Sequence, residues 1–263
     1  MWCCSGSTCW VYIDICGGWS VIEAAVALGL LGAILGSFIA ALVIRWPEGR
    51  SIATGRSACD ECGATLRVHE LVPIVSAVIQ RGRCRRCGAA IDPLHWRIEG
   101  LGLAIGLSAG WVAGWPGITG AVFGWLLLAL GALDVRAFWL PDRLTGPLAV
   151  LGLVAGLPAL PDRIIGGVAG FGALWIIALA YRRLRGREGL GGGDPKLLGA
   201  IGLWLGWRML PPVLLAASLL GLAVVLIGML RGHRVQRSDA VPLGVLLAAA
   251  AYPAWLLMVE AVP

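Results

Sequence analysis

Three aspartates stand out among the 263 residues because each borders a long apolar stretch. Asp134 follows the run LLLALGAL, Asp142 comes eight residues later in LPD, and Asp194 closes the sequence GLGGGD. An Asp at the centre of a membrane span costs about 2.5–3.5 kcal/mol on insertion scales, so an acid in or beside a span is a candidate for function. Two carboxylates within hydrogen-bonding reach can share a proton, and one then acts as a base toward water while the other acts as an acid toward a carbonyl oxygen. A pair drawn from these aspartates could therefore hydrolyse a peptide bond.

Each aspartate also has a simpler interpretation. Asp194 precedes Pro195, and Asp-Pro is typical of a helix N-terminus, so Asp194 could serve only as a helix cap. Asp134 and Asp142 could be solvated loop residues. The same carboxylates could also bind ions or protons in an ion- or proton-coupled transporter, although the sequence contains no inverted repeat and the acids fall at span edges. Residue types alone leave these alternatives open.

A second set of reactive side chains lies in the one long polar segment of the chain. Two C-x-x-C motifs, CDEC and CRRC, are separated by 21 residues, and each is followed by a glycine that suits a tight turn. This spacing is typical of a tetrahedral zinc site with four thiolate ligands, which leaves no position open for catalysis. The alternative is a set of ordinary reduced thiols. The predicted ligands of a structural zinc ion are Cys59, Cys62, Cys84 and Cys87.

The elements that must position these residues are membrane helices. Hydrophobic residues make up 59% of the chain, charged residues only 14%, and the mean hydropathy is +0.85, which is too apolar for a water-soluble globule of this size. We therefore predict an all-α, polytopic membrane helical bundle with a small zinc-ribbon-like loop. Its spans, about eight in number, are predicted near residues 21–44, 98–114, 118–133, 144–160, 164–181, 195–207, 211–230 and 240–259.

The arginines predict the orientation of this bundle. The chain has 21 basic residues and a net charge of +6, and most of the arginines cluster in alternate connections between the predicted spans, with Arg163 and Arg208 as exceptions. By the positive-inside rule, the cysteine segment and all three aspartates then lie on the cytoplasmic side. Nucleic acid is not an expected partner, because the stretch between the two cysteine motifs has no aromatic residue for base stacking.

We divide the chain into a tail at 1–20, a first membrane span at 21–44, a cytoplasmic four-cysteine zinc-binding domain at 45–97 and a membrane domain at 98–263. No cleaved signal peptide is expected, since the first span is long and has no cleavage pattern. The tail could carry an external disulfide or metal cluster, a lipidation target, or residues added by a start codon assigned too far upstream. These alternatives concern its four cysteines, Cys3, Cys4, Cys9 and Cys16.

Several ordered stretches resemble the bacterial type IV prepilin leader peptidases, which are GxGD membrane aspartic proteases. The resemblance extends from about residue 30 to 250 and rests on LGSFIAALVIRWP, the two cysteine motifs, LVPIVSAVIQRGRC, LDVRAFWLPDRLTGPL and EGLGGGDPKLLGAIGLWLGW. A late element, PLGV at 242–245, stands where the family has a PFGP-like sequence. Carried over by position, the resemblance implies that Asp134 and Asp194 are the catalytic pair and that the four cysteines bind zinc. Asp142 matches a family aspartate that is not assigned to catalysis, so it is a candidate for a supporting role beside the pair or a structural one.

The resemblance also implies a substrate and a second activity. Family members remove a short, basic leader from type IV prepilins or type II secretion pseudopilins, after a glycine on the cytoplasmic face of the bacterial inner membrane. Many then methylate the new N-terminal amine with S-adenosylmethionine. No glycine-rich cofactor fingerprint is present in this chain, so the sequence assigns no residues to that cofactor.

Overall fold

The structure is a computed structural model, and it describes residues 20–50, 58–59, 61–65, 67, 73–74, 76, 79–186, 189–232 and 241–261. The four cysteines of the predicted tail lie outside these residues. Within them the chain is helical and contains no β-strand longer than an isolated bridge. The eight α-helices of this part of the chain are α1 Val21–Arg45, α2 Leu94–Ala113, α3 Ile118–Ala137, α4 Asp142–Ala155, α5 Leu160–Arg185, α6 Gly193–Leu205, α7 Leu210–Leu230 and α8 Leu243–Glu260.

All eight apolar runs of the sequence are thus helices, but their lengths differ. Five of the described helical segments are long and apolar enough to cross a bilayer, and these contain α1, α3, α5, α7 and α8. The 14 residues of α4 and the 13 residues of α6 are only about 20 Å long at 1.5 Å per residue, against a hydrocarbon core of about 30 Å. The all-helical membrane fold is confirmed, whereas the predicted count of eight spans is not.

Helices α1 and α2 pack with their backbones in direct contact. A side chain at Gly32 would overlap the carbonyl oxygen of Gly102, and a side chain at Gly106 would overlap that of Leu28. Further along, Gly110 lies against Ala25 in the same way. Small residues at helical spacing are what membrane helices use for close approach, because water is absent and van der Waals contact between backbones replaces the hydrophobic effect.

Glycines also allow direct backbone contact between α5 and α6. Gly166 lies against the backbone of Gly202, and Gly170 lies against that of Leu198. On its other side α6 contacts α4 through Trp204, whose indole N–H donates a hydrogen bond of 2.8 Å to the carbonyl oxygen of Leu148. The short α6 is therefore held between α4 and α5, with most of its residues buried.

The two arginines that depart from the orientation pattern have structural partners at the opposite end of the bundle from the aspartates. Arg163 donates hydrogen bonds to the carbonyl oxygens of Leu153, Val154 and Pro158, which lie at the C-terminal end of α4 and just beyond it. Such carbonyls have no intrahelical partner and favour a cation. The guanidinium of Arg208 lies 5.4 Å from the centre of the Trp207 ring.

Replacing Gly32 with Ala tests the packing of α1 on α2. The added methyl group has no room against the Gly102 backbone, so the helices must separate. We expect a loss of stability of about 1–3 kcal/mol, the range for overpacking. The detergent-solubilised variant should therefore aggregate at a lower temperature than the wild type. Gly172→Ala is the matched control, because open space surrounds that position. Equal thermal stability of the two variants would contradict the described contact.

Candidate active site

Asp134 and Asp194 come together at one end of the helical bundle. Asp134 lies in the last turn of α3 and is 5% exposed, and Asp194 is the second residue of α6 and is 7% exposed. The two carboxyl groups are close enough to interact electrostatically. The sequence predicted Asp134 just after a span, but α3 continues to Ala137, so this carboxyl group projects from the helix itself. The solvated-loop interpretation of Asp134 is therefore wrong.

The N-terminus of α8 holds the Asp134 carboxylate. The backbone N–H of Val245 donates a hydrogen bond of 3.1 Å to Asp134 Oδ2. Gly244 lets the carboxylate approach this closely, because a Cβ atom there would lie 2.8 Å from the same oxygen. The first N–H groups of a helix have no intrahelical acceptor and favour a negative charge. The PLGV element of the sequence thus supplies a binding site for one carboxylate.

The triple glycine brings Asp194 to the same place. Helix α6 begins at Gly193 with Gly192 as its N-cap residue, and no side chain makes a capping hydrogen bond. Asp194 is therefore inside the helix, so the interpretation of this residue as only a helix cap is wrong. Its carboxylate lies beside Gly191, where a Cβ atom would be 3.1 Å from Asp194 Oδ2. A side chain in this turn would crowd the acid.

Leu140 packs against two glycines, Gly193 next to Asp194 and Gly244 next to the Asp134 carboxylate. A Cβ atom on Gly193 would be 2.6 Å from Leu140 Cβ, and a Cβ atom on Gly244 would be 3.1 Å from Leu140 Cδ1. The link between α3 and α4 therefore passes directly over the ends of α6 and α8. This contact sets the position of the link relative to both aspartates.

Asp142 has a different environment from the other two acids. It is the first residue of α4 rather than a loop residue, and its exposed carboxylate forms an ion pair of 2.7 Å with Lys196 Nζ. Exposed ion pairs contribute about 0–1 kcal/mol, so this pair joins α4 to α6 without dominating their contact. Asp142 does not join the buried pair. This agrees with the resemblance, which assigns Asp142 no catalytic role.

An open cleft of about 590 Å³ lies next to the pair, since Leu140 and Gly193 line it, although neither Asp134 nor Asp194 does. One wall carries the indole rings of Trp46 and Trp139, which meet edge to face with centroids 5.1 Å apart. The sequence analysis did not single out these tryptophans, because they come from segments more than 90 residues apart and follow no shared motif. The residues that line the cleft are Trp46, Trp139, Leu140, Pro141, Asp142, Arg143, Gly193 and Lys196.

The four cysteines of the two motifs form one cluster. Their sulfur atoms all lie within 4.8 Å of one another, and the sulfurs of Cys59 and Cys87 are 3.9 Å apart. A tetrahedral zinc ion with Zn–S bonds of about 2.3 Å separates its sulfurs by about 3.8 Å, so the cluster has the size of such a site. Each motif closes in a tight turn at its glycine, with φ of +66° at Gly63 and +73° at Gly88. The four predicted ligands are therefore close enough together to hold one metal ion.

The turns also prepare the sulfurs to bind a cation. The N–H groups of Cys87 and Arg86 donate to the Cys84 sulfur and lower the pKa of that thiol to about 6. The N–H of Ala89 acts on Cys87 in the same direction, but desolvation and the hydrogen bonds with the other thiols outweigh it and raise the pKa of Cys87 to about 12. Without a cation, the cluster thus resists full ionisation. A divalent cation favours four thiolates and displaces the remaining protons.

Three contacts tie the cysteine segment to the helices. Buried Glu99 in α2 accepts a hydrogen bond of 2.7 Å from the backbone N–H of Ile74. Arg45 at the end of α1 donates to the carbonyl oxygen of Ala58, next to the first motif. Arg136, two residues after Asp134, lies 3.6 Å from the Asp92 carboxylate. No motif in the sequence predicts these contacts.

Comparisons with known proteins identify the family. Residues 30–113 match the Bacterial Peptidase A24 N-terminal domain, and residues 121–226 match the Type IV leader peptidase family. A relative from Burkholderia pseudomallei (strain K96243) is 40% identical over 254 residues, which cover 84% of this chain and 81% of the relative. The chain belongs to the type IV leader peptidase family. The family predicted from the sequence is confirmed.

Other members of the family match over most of the chain as well. A relative from Aeromonas hydrophila is 38% identical over 207 residues, with 76% of this chain and 71% of the relative covered. One from Pseudomonas aeruginosa PAO1 is 35% identical over 259 residues, with 86% and 88% covered. All three relatives are named prepilin leader peptidase/N-methyltransferase. No solved structure matches the chain.

The cysteine cluster predicts the metal content of the purified protein. We expect about one zinc ion per chain by elemental analysis, because four sulfurs at this separation complete a tetrahedral site. Cys62→Ser should lower the zinc content below half, since a hydroxyl group is a poor substitute for a thiolate. Ser108→Ala, a change inside the membrane domain, serves as the control. Zinc-free protein with all four cysteines intact would contradict the assignment.

Proposed function

We propose that Asp134 and Asp194 are the catalytic pair of a membrane aspartic endopeptidase that removes the short, basic leader of type IV prepilins or type II secretion pseudopilins. The observation that carries the proposal is the meeting of two buried carboxyl groups, from α3 and α6, beside an open cleft. Family membership supports the same reaction. Open space surrounds Gly192, two residues before Asp194, which leaves room for the backbone of an extended peptide.

The reaction follows from two acids that share one proton. The ionised carboxylate takes a proton from water, which attacks the scissile carbonyl carbon, while the protonated carboxyl group donates to the carbonyl oxygen. The tetrahedral intermediate then collapses as the C–N bond breaks, and the departing amine takes up a proton. The hydrogen bond from Val245 fixes the orientation of the Asp134 carboxylate, so little reorganisation is needed during these steps.

We place the catalytic end of the bundle on the cytoplasmic side of the bacterial inner membrane. Arg136 and Arg143 flank the pair, and Arg182, Arg183 and Arg185 end α5 at the same side of the bundle. Such an excess of arginine is typical of cytoplasmic connections. A basic leader cannot enter the hydrocarbon without a large cost, so cleavage at the cytoplasmic edge suits this substrate.

The second proposed activity is methylation of the new N-terminal amine with S-adenosylmethionine. The cleft has the chemistry to hold this cofactor: Trp46 and Trp139 offer faces for the adenine ring, Asp142 accepts hydrogen bonds, and Arg143 attracts a carboxylate. When bound, the cofactor supplies an electrophilic methyl group. Because Gly193, the neighbour of Asp194, lines the cleft, the amine released by cleavage forms close to the same cleft.

We further propose that the metal is zinc and that its role is structural. Four cysteines complete its coordination and leave no open position for water or substrate. The metal would hold together the segment that contains the four cysteines. That segment contacts α2 through Glu99 and α3 through Arg136. Its contribution to catalysis is to position the polar side of the site.

Replacing either aspartate tests the peptidase. Asp134→Asn and Asp194→Asn keep the side-chain shape but remove the shared proton, so each should lower kcat for leader removal by at least about 100-fold. The measurement is the gel shift of a prepilin incubated with the purified variant. Asp162→Asn is the control, because Asp162 lies at the opposite end of the bundle and accepts from Trp207. Leader removal at the wild-type rate by either catalytic variant would refute the pair.

Replacing Trp139 tests the cofactor site. Trp139→Ala should weaken the binding of S-adenosylhomocysteine by about two- to ten-fold in calorimetry, the range for a lost aromatic contact. Trp111→Ala, an exposed tryptophan at the far end of α2, should leave the affinity unchanged. If Trp46→Ala and Trp139→Ala both bind as tightly as the wild type, the cofactor binds elsewhere.

A further inference from the structure

A second cavity opens on the outer surface of the helical bundle. This groove has a volume of about 760 Å³ and runs along α4, α5 and α6. Several of its side chains are exposed although they are apolar, including Val168 at 70% and Ile164 at 47%. Its lining residues are Asp142, Thr145, Gly146, Ala149, Leu153, Ile164, Gly167, Val168, Phe171, Lys196, Gly199, Ala200 and Leu203.

The groove is shaped to hold a helix, with its lining contributed by three helices. Its floor is one face of α6, since Lys196, Gly199 and Leu203 recur at helical spacing. Its walls are one face of α4 and one face of α5. Along α4 the lining extends from Asp142 to Leu153, which is about 16 Å at 1.5 Å per residue. Glycine and alanine at the floor and at Gly146 keep the groove open and allow close approach of another backbone.

The groove is continuous with the active-site cleft. Asp142 and Lys196 line both cavities, and their ion pair stands at the boundary between them. From this boundary the groove descends along the bundle toward Leu203 and Ile164, away from the aspartates. An occupant of the groove therefore has one end beside the active-site cleft.

We propose that the groove is the docking site for an apolar transmembrane helix of the substrate. This inference rests on the proposed function. A chain that enters the hydrocarbon must be helical, because its backbone N–H and C=O groups find no other partners there. A basic leader stays at the aqueous end, so the docked helix is the segment that follows the scissile bond. Packed in the groove, it presents the bond between helix and leader at the cleft.

This arrangement explains how one site can select a substrate by its position in the membrane. The cleft has a mixed polar lining, whereas the groove away from Asp142 and Lys196 is apolar apart from Thr145. A helix in the groove makes contacts like those between α5 and α6, where glycines let backbones touch. Binding along the groove restricts the scissile bond to the level of Asp134 and Asp194.

Filling the groove tests the proposal. Gly146 lines the groove and open space surrounds it, so Gly146→Leu should narrow the groove without disturbing the fold. We expect kcat/KM for a full-length, membrane-anchored prepilin to fall about ten-fold relative to kcat/KM for a short peptide of the leader and scissile bond. Gly172→Leu on α5 is the matched control, since Gly172 also has open space but lines neither cavity. Gly172→Leu should leave kcat/KM unchanged for both the full-length prepilin and the short peptide.

A photo-crosslinking experiment locates the helix directly. Benzoylphenylalanine at Leu153, which lines the groove, should crosslink the substrate helix, whereas the same group at Val154 should not. Val154 is the next residue of α4 and is 74% exposed outside the groove. Crosslinks from Leu153 only to lipid, or only to a second copy of this chain, would overturn the proposal.

The outcomes separate the groove from the peptidase. If Gly146→Leu processes the full-length substrate like the wild type, or slows both substrates equally, the groove does not bind the helix. If the wild type cleaves neither substrate, the proposed function fails. In that case the crosslinks from Leu153 and Val154 still decide whether the groove holds a prepilin helix.

Discussion

Two acidic side chains that are buried at the same end of an apolar bundle repel each other and lose contact with water. A central Asp costs about 2.5–3.5 kcal/mol in a membrane span, and a helix N-terminus returns only about 0.3–2 kcal/mol to a nearby carboxylate. The N-terminus of α8 at Asp134 therefore offsets part of the cost and leaves the pair best suited to sharing one proton. The two carboxyl groups can share a proton only if the C-terminal end of α3 and the N-terminal ends of α6 and α8 lie at the same level of the bundle.

Glycine performs two tasks in meeting this requirement. Within the bundle, Gly32 with Gly102 and Gly166 with Gly202 let helices touch through their backbones, which fixes the level of each helix against its neighbour. At the aspartates, glycines remove side chains where a carboxylate or Leu140 must fit. Overpacking at either kind of position costs about 1–3 kcal/mol, so stability and site geometry depend on the same small residues.

The fold was predictable from the sequence because apolar length is a strong signal. The rarity of ionisable residues drew attention to three aspartates, and the family resemblance then selected Asp134 and Asp194. The cysteine spacing likewise predicted the sulfur cluster. What could not be predicted depends on distant segments or on backbone groups. The N–H of Val245 has no side-chain signature, and Trp46 meets Trp139 only after folding. Helix ends were also uncertain, which is why Asp134 and Asp142 were misplaced relative to α3 and α4.

The direct contact between α1 and α2 has a consequence for how the family can vary. These helices form a hairpin, and the cysteine segment connects the end of α1 at Arg45 to the start of α2 at Leu94. The backbone contacts between the helices hold these two ends together independently of the connecting segment. Closing a longer loop costs only about 0.6 kcal/mol for each doubling of its length. The cysteine segment can therefore differ in length, or lose its cysteine cluster, without separating α1 from α2.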